Sequence, residues 1–153
     1  KTFYGVNRRL QFISNCKGVR VYDDYGHHPT AIRTTLEGLK KSVKNTLICI
    51  FQPHRYSRTE NLLKAFSEAF NFADKVVITS IYAANESNDN NVCSNEIVKL
   101  MKKNSDKIVH FIEDKKDVVP FVKKGVKRGD VIVTMGAGDI NTILDPLVVA
   151  LSQ

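Results

Sequence analysis

Cysteine is scarce, and its placement excludes more than it suggests. Cys16, Cys49 and Cys93 are odd in number and none forms a CxxC pair, which argues against a disulfide framework or a zinc knuckle and fits a reducing cytoplasm. Long apolar runs are missing too. No uninterrupted stretch approaches the roughly 20 residues that a membrane span needs, so no membrane partner is expected. The opening residues, Lys1 to Gly5, carry no initiator Met, no basic leader and no apolar h-region. A signal peptide is therefore not expected, and the chain is expected to begin partway through a longer protein. Neither GxxxxGKS/T nor GxSxG occurs, so the sequence brings no phosphate cradle and no nucleophile elbow of its own.

What is present suffices for one domain. The 153 residues, 42% of them hydrophobic, can bury one core but not two comfortable ones. The net charge of +7 admits nucleic acid, a membrane surface or small anions as partners. The lysines narrow that choice: Lys40, Lys41 and Lys44, then Lys99, Lys102 and Lys103, then Lys123, Lys124 and Lys127 fall at the tails of helical patterns, where cations complement the helix dipole. No aromatic interleaving accompanies them, and no nucleic-acid partner is expected.

Short β-branched runs alternate with longer segments of helical periodicity. The strand candidates are VRVYDD (19 to 24), TLICIF (46 to 51), KVVITSI (75 to 81), KIVHFI (107 to 112) and DVIVTM (130 to 135). Each is followed by a helix candidate, the signature of a parallel sheet. The first helix is expected from Pro29, with Ile32, Leu36, Leu39 and Val43 on one face. The second is expected to open with a capping box, Ser57 and Glu60, and to bury Leu62, Phe66, Ala69 and Phe70. Others are expected over about 94 to 103, 115 to 127 and 139 to 151. LQFISNC (10 to 16) lies only Lys17 and Gly18 ahead of the first parallel strand, which suits a tight antiparallel hairpin. The expected architecture is a three-layer, Rossmann-like α/β domain: a six-stranded, mostly parallel sheet with one antiparallel strand and helices on both faces.

In such sheets ligands bind outside the carboxyl ends of the strands. Three of the four histidines lie on that edge. The loop after the first parallel strand holds Asp23, Asp24, Tyr25, His27 and His28; the next holds Gln52, His54, Arg55 and Arg58; then come Tyr82, Asn85 and Glu86, and finally Gly136-Ala137-Gly138-Asp139. Arg55 and Arg58 flank a helix start, and arginine matches carboxylates and phosphates through paired hydrogen bonds, so an anion is the expected guest. The alternative is that both merely pair with Asp23 or Asp24. Adjacent aspartates and histidines could ligate a metal, position a ribose or supply a base. Alternation along an extended segment sends Asp23 and Asp24 to opposite sides, so no metal site is assigned. The alternative turns Asp23 to the core as the partner of a backbone group and leaves only Asp24 in the crevice. His110, inside a strand, is expected to be a core or edge residue. Gly136-Ala137-Gly138 is half a dinucleotide fingerprint, with Asn141 where a third glycine would stand.

Taken together, DDYGHHPTAI (23 to 32), FQPHRYSRT (51 to 59), GVNRRLQF (5 to 12), YAANE (82 to 86) and GAGDI (136 to 140) resemble the carboxy-terminal domain of UDP-N-acetylmuramate:L-alanine ligases, over nearly the whole chain. A related murein-peptide recycling ligase shares HHPTAI but carries a different loop where FQPHRYSRT stands.

The resemblance implies a three-domain, ATP-dependent amide-forming ligase of peptidoglycan precursor synthesis. Its first domain binds the UDP-sugar and its second binds ATP through a P-loop, with Mg²⁺ bridging the phosphates. ATP phosphorylates the lactyl carboxylate and L-alanine attacks the acyl phosphate. Carried across, Asp24 would contact the ribose or adenine of ATP, with Arg9 and His54 near the nucleotide. Tyr25, His27, Arg55 and Arg58 would shape the L-alanine pocket. The partners implied are L-alanine, UDP-N-acetylmuramate, ATP and the other two domains, and the piece alone is expected to be inactive. One departure is Asn85, where the family usually has Gly; asparagine tolerates a left-handed backbone, but Glu86 becomes less secure. Other classes remain to be weighed: an autonomous anion or nucleic-acid binding module, and a metal-dependent hydrolase using Asp23, Asp24, His27 and His28.

Overall fold

In the computed structural model, residues 8–153 are described; the Gly5 to Asn7 part of GVNRRLQF and the opening residues lie outside them. The antiparallel strand β1 (Gln11–Cys16) turns through Lys17 and Gly18 into β2 (Val19–Asp24). Both turn residues have positive φ, 51° and 91°, the two-residue turn whose twist matches the strands it joins. Then follow α1 (Pro29–Lys40), β3 (Leu47–Phe51), α2 (Tyr56–Asn61), α3 (Leu63–Ala69), β4 (Lys75–Ile78), α4 (Asn95–Asn104), β5 (Ile108–Phe111), α5 (Val118–Gly125), β6 (Val131–Met135) and α6 (Leu144–Ser152). Short 3-10 turns, Lys115–Asp117 and Ile140–Ile143, lead into α5 and α6.

The sheet order is β1-β2-β6-β3-β4-β5, with five parallel strands and β1 antiparallel at one edge. The expected mixed sheet is therefore present. Every residue of the central strands β3 and β6 is buried, as a parallel strand covered on both faces requires. One face packs α1, α3 and α4 through Ile32, Leu36, Phe66, Phe70 and Ile97; Phe51 meets Phe66 and Phe70 at 5.5 and 5.3 Å between ring centres. The other face packs α5 and α6 through Val118, Val122, Leu147 and Leu151. The chain runs outward from β2 to β5 with helices on the first face and returns to the centre through α5 on the second. This reversal gathers the loops after β2, β3 and β6 at one edge.

The second helix departs from expectation. It breaks at Leu62 (φ −113°, ψ 17°) into α2 and α3, and it has no side-chain cap. Ser57 lies inside the first turn rather than ahead of it, and its N–H and hydroxyl both donate to Glu86, while Glu60 accepts from Asn90. The capping box is therefore not formed. Helix α1 ends at Lys40, leaving Val43 partly buried against the same core. His110 is an edge residue, its ring 4.8 Å from that of Phe121. The lysine-tail reading fits Lys102, Lys103, Lys123 and Lys124 in last turns, and Lys40 also pairs with Asp74 at 2.6 Å. No helix among the described residues is long and apolar enough to cross a membrane.

Candidate functional site

The two aspartates at the end of β2 part company. Asp23, 1% exposed, turns inward and accepts from Arg8 Nε at 2.9 Å and from the Thr134 hydroxyl at 2.6 Å. Its partners are the Arg8 and Thr134 side chains, not the backbone group of the alternative reading. Asp24 faces the crevice at 8% exposure, and its two oxygens accept the backbone N–H groups of Leu10 and Gly26, each at 2.7 Å. The carboxylate thereby ties the segment entering the domain to the loop after β2.

Arg8 is the residue that sequence reasoning missed. Its guanidinium pairs with Asp23, donates to the carbonyls of Gly136 (2.6 Å) and Gly138 (3.3 Å), and lies 5.2 Å from the Tyr25 ring centre. Its own carbonyl accepts from Tyr25 N. Arg8 and Leu10 both take positive φ, 61° and 44°, a costly conformation for such side chains that these contacts hold in place. Arg9, between them, is exposed and lines, with Asp24, Tyr25 and His27, a cavity of about 680 Å³.

The loop after β3 forms the adjoining wall. His54 makes an isolated parallel bridge with Tyr82, and their rings stack at 5.6 Å and 12°. Arg58 Nη1 lies 3.2 Å from His54 Nδ1, and the His27 ring centre lies 5.8 Å from that of His54, so His27 joins the two loops. Arg55 (φ 72°) precedes α2 and approaches Glu86 at 3.8 Å. Neither arginine is paired with Asp23 or Asp24 among the described residues; Arg55 instead ties its loop to Glu86, and Arg58 meets His54. Asn85 adopts φ 66°, the left-handed conformation that glycine usually supplies, and Glu86 is thereby delivered to Ser57 and Arg55.

Below this wall, Gln52 donates to Asp139, and Asp139 also pairs with Lys115, so the turn after β6 is braced from two loops. The Gln52 Oε1 is buried without a partner. A Cβ on Gly138 would fall 2.6 Å from Gln52 Oε1 and from the Tyr82 ring. The half-fingerprint thus serves close passage of the turn beneath the Tyr82–His54 stack.

Partners fix where the three histidines of this edge carry their protons. A guanidinium can only donate, so His54 Nδ1 accepts from Arg58 and its proton sits on Nε2. His28 Nδ1 likewise accepts from Thr30 N, capping α1. His27 Nδ1 lies 3.0 Å from the Tyr25 carbonyl, which can only accept, so Nδ1 donates and the lone pair of the neutral ring lies on Nε2. Burial, then the charge of Arg58, followed by His27 and Arg55, holds the His54 imidazolium below the ordinary histidine range. The Ser57 hydroxyl and N–H hold Glu86 below the usual carboxylate range. Chemically, the wall after β3 offers the guanidinium groups of Arg55 and Arg58 beside the His27 imidazole lone pair, with the exposed Arg9 across the crevice.

The donor set does not suit a magnesium ion: the oxygens of Asp23 and Asp24 already take N–H and hydroxyl donors. Among the described residues no three His, Cys, Asp or Glu side chains are placed to hold a metal ion.

Comparison with known proteins gives this arrangement a context. Residues 8–138 match the family model "Mur ligase, glutamate ligase domain". UDP-N-acetylmuramate–L-alanine ligase of Caldicellulosiruptor bescii is 42% identical over 144 residues, covering 94% of this chain and 31% of the relative. The enzyme of that name from Brachyspira hyodysenteriae is 45% identical over 141 residues, covering 92% and 30%. The crystal structure of UDP-N-acetylmuramate-alanine ligase from Thermotoga maritima superposes with a TM-score of 0.71 at 30% identity, over 95% of this chain and 30% of that one. A murein peptide ligase from Psychrobacter arcticus gives 0.81 at 24% identity, over 99% and 31%, a likeness of fold.

Proposed function

Because this chain belongs to the Mur ligase family, as its carboxy-terminal domain, we propose that it supplies the L-alanine pocket and part of the ATP site of a UDP-N-acetylmuramate:L-alanine ligase. The chain spans about 31% of the length of such relatives, so the whole reaction belongs to a longer parent. The observation that carries the proposal is the meeting of His27 with His54, which joins Tyr25 and His27 to Arg55 and Arg58 on one wall. There the arginines hold the carboxylate of L-alanine through charge-assisted bonds. Asp24, Arg9 and His54 face the nucleotide.

ATP phosphorylates the lactyl carboxylate of UDP-N-acetylmuramate, and the amino group displaces phosphate from the acyl phosphate to make the amide. Mg²⁺ and the phosphates of ATP are held by upstream domains, since the carboxylates here are already occupied. Closing this wall over the acyl phosphate orients the amine and excludes water, which would otherwise hydrolyse the intermediate. The setting is the cytoplasm, where ATP is made.

Incubation with ATP, Mg²⁺, UDP-N-acetylmuramate and L-alanine tests this. The full-length parent should form UDP-N-acetylmuramoyl-L-alanine, and the isolated chain should neither ligate nor hydrolyse ATP. Turnover by the isolated chain would refute the division of labour.

A further inference from the structure

Three histidines border the crevice, but only His27 keeps a ring lone pair that no partner among the described residues takes. His54 Nδ1 is taken by Arg58 and His28 Nδ1 by Thr30 N, which leaves each with a protonated Nε2. His27 is the reverse: its Nδ1–H is spent on the Tyr25 carbonyl, and Nε2 stays an acceptor. Its ring is wedged between Tyr25, edge-on at 5.4 Å, and His54 at 5.8 Å, one ring away from the Arg58 guanidinium. An α-amino acid carries its ammonium on the carbon next to its carboxylate. An amino acid whose carboxylate sits on Arg58 would therefore direct its ammonium past His54 toward the His27 ring.

From this arrangement we propose that His27 Nε2 is the base that deprotonates the incoming amino acid, a role that rests on the L-alanine pocket assigned above. The ammonium has no electron pair with which to attack. Transfer of one proton to Nε2 leaves a neutral amine and an imidazolium, whose Nδ1–H remains on the Tyr25 carbonyl. The amine forms the new C–N bond at the acyl carbon, the C–O bond to phosphate breaks, and phosphate departs with that electron pair. The second nitrogen proton leaves to solvent or phosphate as the amide forms. The imidazolium returns its proton to solvent before the next turnover. The neighbouring His54 cannot substitute, because its Nε2 is a donor and protonating its Nδ1 would set that nitrogen against Arg58.

The test is His27→Asn in the full-length ligase, since an asparagine amide can keep the donor to the Tyr25 carbonyl while removing Nε2. L-alanine and hydroxylamine serve as competing probes, the latter being largely free base at neutral pH and needing no deprotonation. With L-alanine, kcat at pH 7 should fall about 100-fold or more, the lower range of general-base contributions. Capture of the acyl phosphate by hydroxylamine should stay within about threefold of wild type. A kcat with L-alanine that stays within threefold overturns the proposal, and so does an equal loss with both nucleophiles, which would mark a positional or folding role. If the wild-type ligase does not couple L-alanine at all, the failure belongs to the pocket assignment and not to His27.

Discussion

Removal of the Arg8 side chain is the perturbation whose cost the structure states most fully. The Arg8 side chain is 20% exposed and that of Asp23 only 2%, so a part-buried guanidinium neutralises a buried carboxylate at 2.9 Å. Arg8→Met keeps much of the stem and deletes the charge. Among the described residues Asp23 is then left with the Thr134 hydroxyl, and the Gly136 and Gly138 carbonyls lose the Arg8 donor. Breaking one side of a buried pair costs about 3 to 5 kcal/mol, because the surviving charge stays desolvated. Domains of this kind have about 5 to 15 kcal/mol in total. Urea unfolding of this chain, followed by circular dichroism, should show the midpoint lowered by about 2 M for a slope near 2 kcal/mol/M. The double variant Arg8→Met with Asp23→Asn should recover a large part of the loss, since the orphaned charge is gone. Arg8→Lys should fall between, as an ammonium cannot span three acceptors in a fork. A loss below about 1 kcal/mol for Arg8→Met, the size of an exposed pair, would refute the burial argument.

Three further outcomes are expected. His54 should titrate below 6.5 by NMR, and Arg58→Ala should raise its midpoint; because the unfolded chain takes the proton first, this group erodes stability as pH falls from 6.5 through the folded value. An unchanged midpoint in the variant would show that the guanidinium does not act on the ring. Glu86 should titrate below 4.5, with Ser57→Ala moving it back up; its stabilising contribution is complete above 4.5 and is lost as pH falls through the folded value. Gly138→Ala should cost about 1 to 3 kcal/mol through overpacking and should separate the Tyr82 and His54 rings, visible as changed ring shifts of both. A variant with wild-type stability and shifts would show that the turn has room to spare.

Strands were legible because each buried strand is a short β-branched run, and the single hairpin because two residues left no room for anything else. The second helix was misread because Ser57 and Glu60 satisfy a local pattern, whereas their partners, Glu86 and Asn90, stand some 30 residues away. The edge that carries the site followed from strand polarity. Arg8 did not, since its role depends on left-handed backbone at Arg8 and Leu10, for which neither residue type gives a sign. One signal pointed toward it: two adjacent aspartates on a strand, one of them necessarily inward, demand a counter-charge, and Arg8 and Arg9 stand just ahead of the hairpin strand that pairs Gln11 with Asp23. Histidine protonation was equally beyond the sequence, because it is set by partners from other elements.

The central claim, that this wall holds the amino-acid substrate, is tested most directly by steady-state kinetics of the full-length ligase carrying Arg58→Ala. The KM for L-alanine should rise by about 10-fold or more, the worth of one charge-assisted bond, while the KM for UDP-N-acetylmuramate stays within about twofold. Equal losses for both substrates, or an unchanged KM for L-alanine, would contradict the assignment.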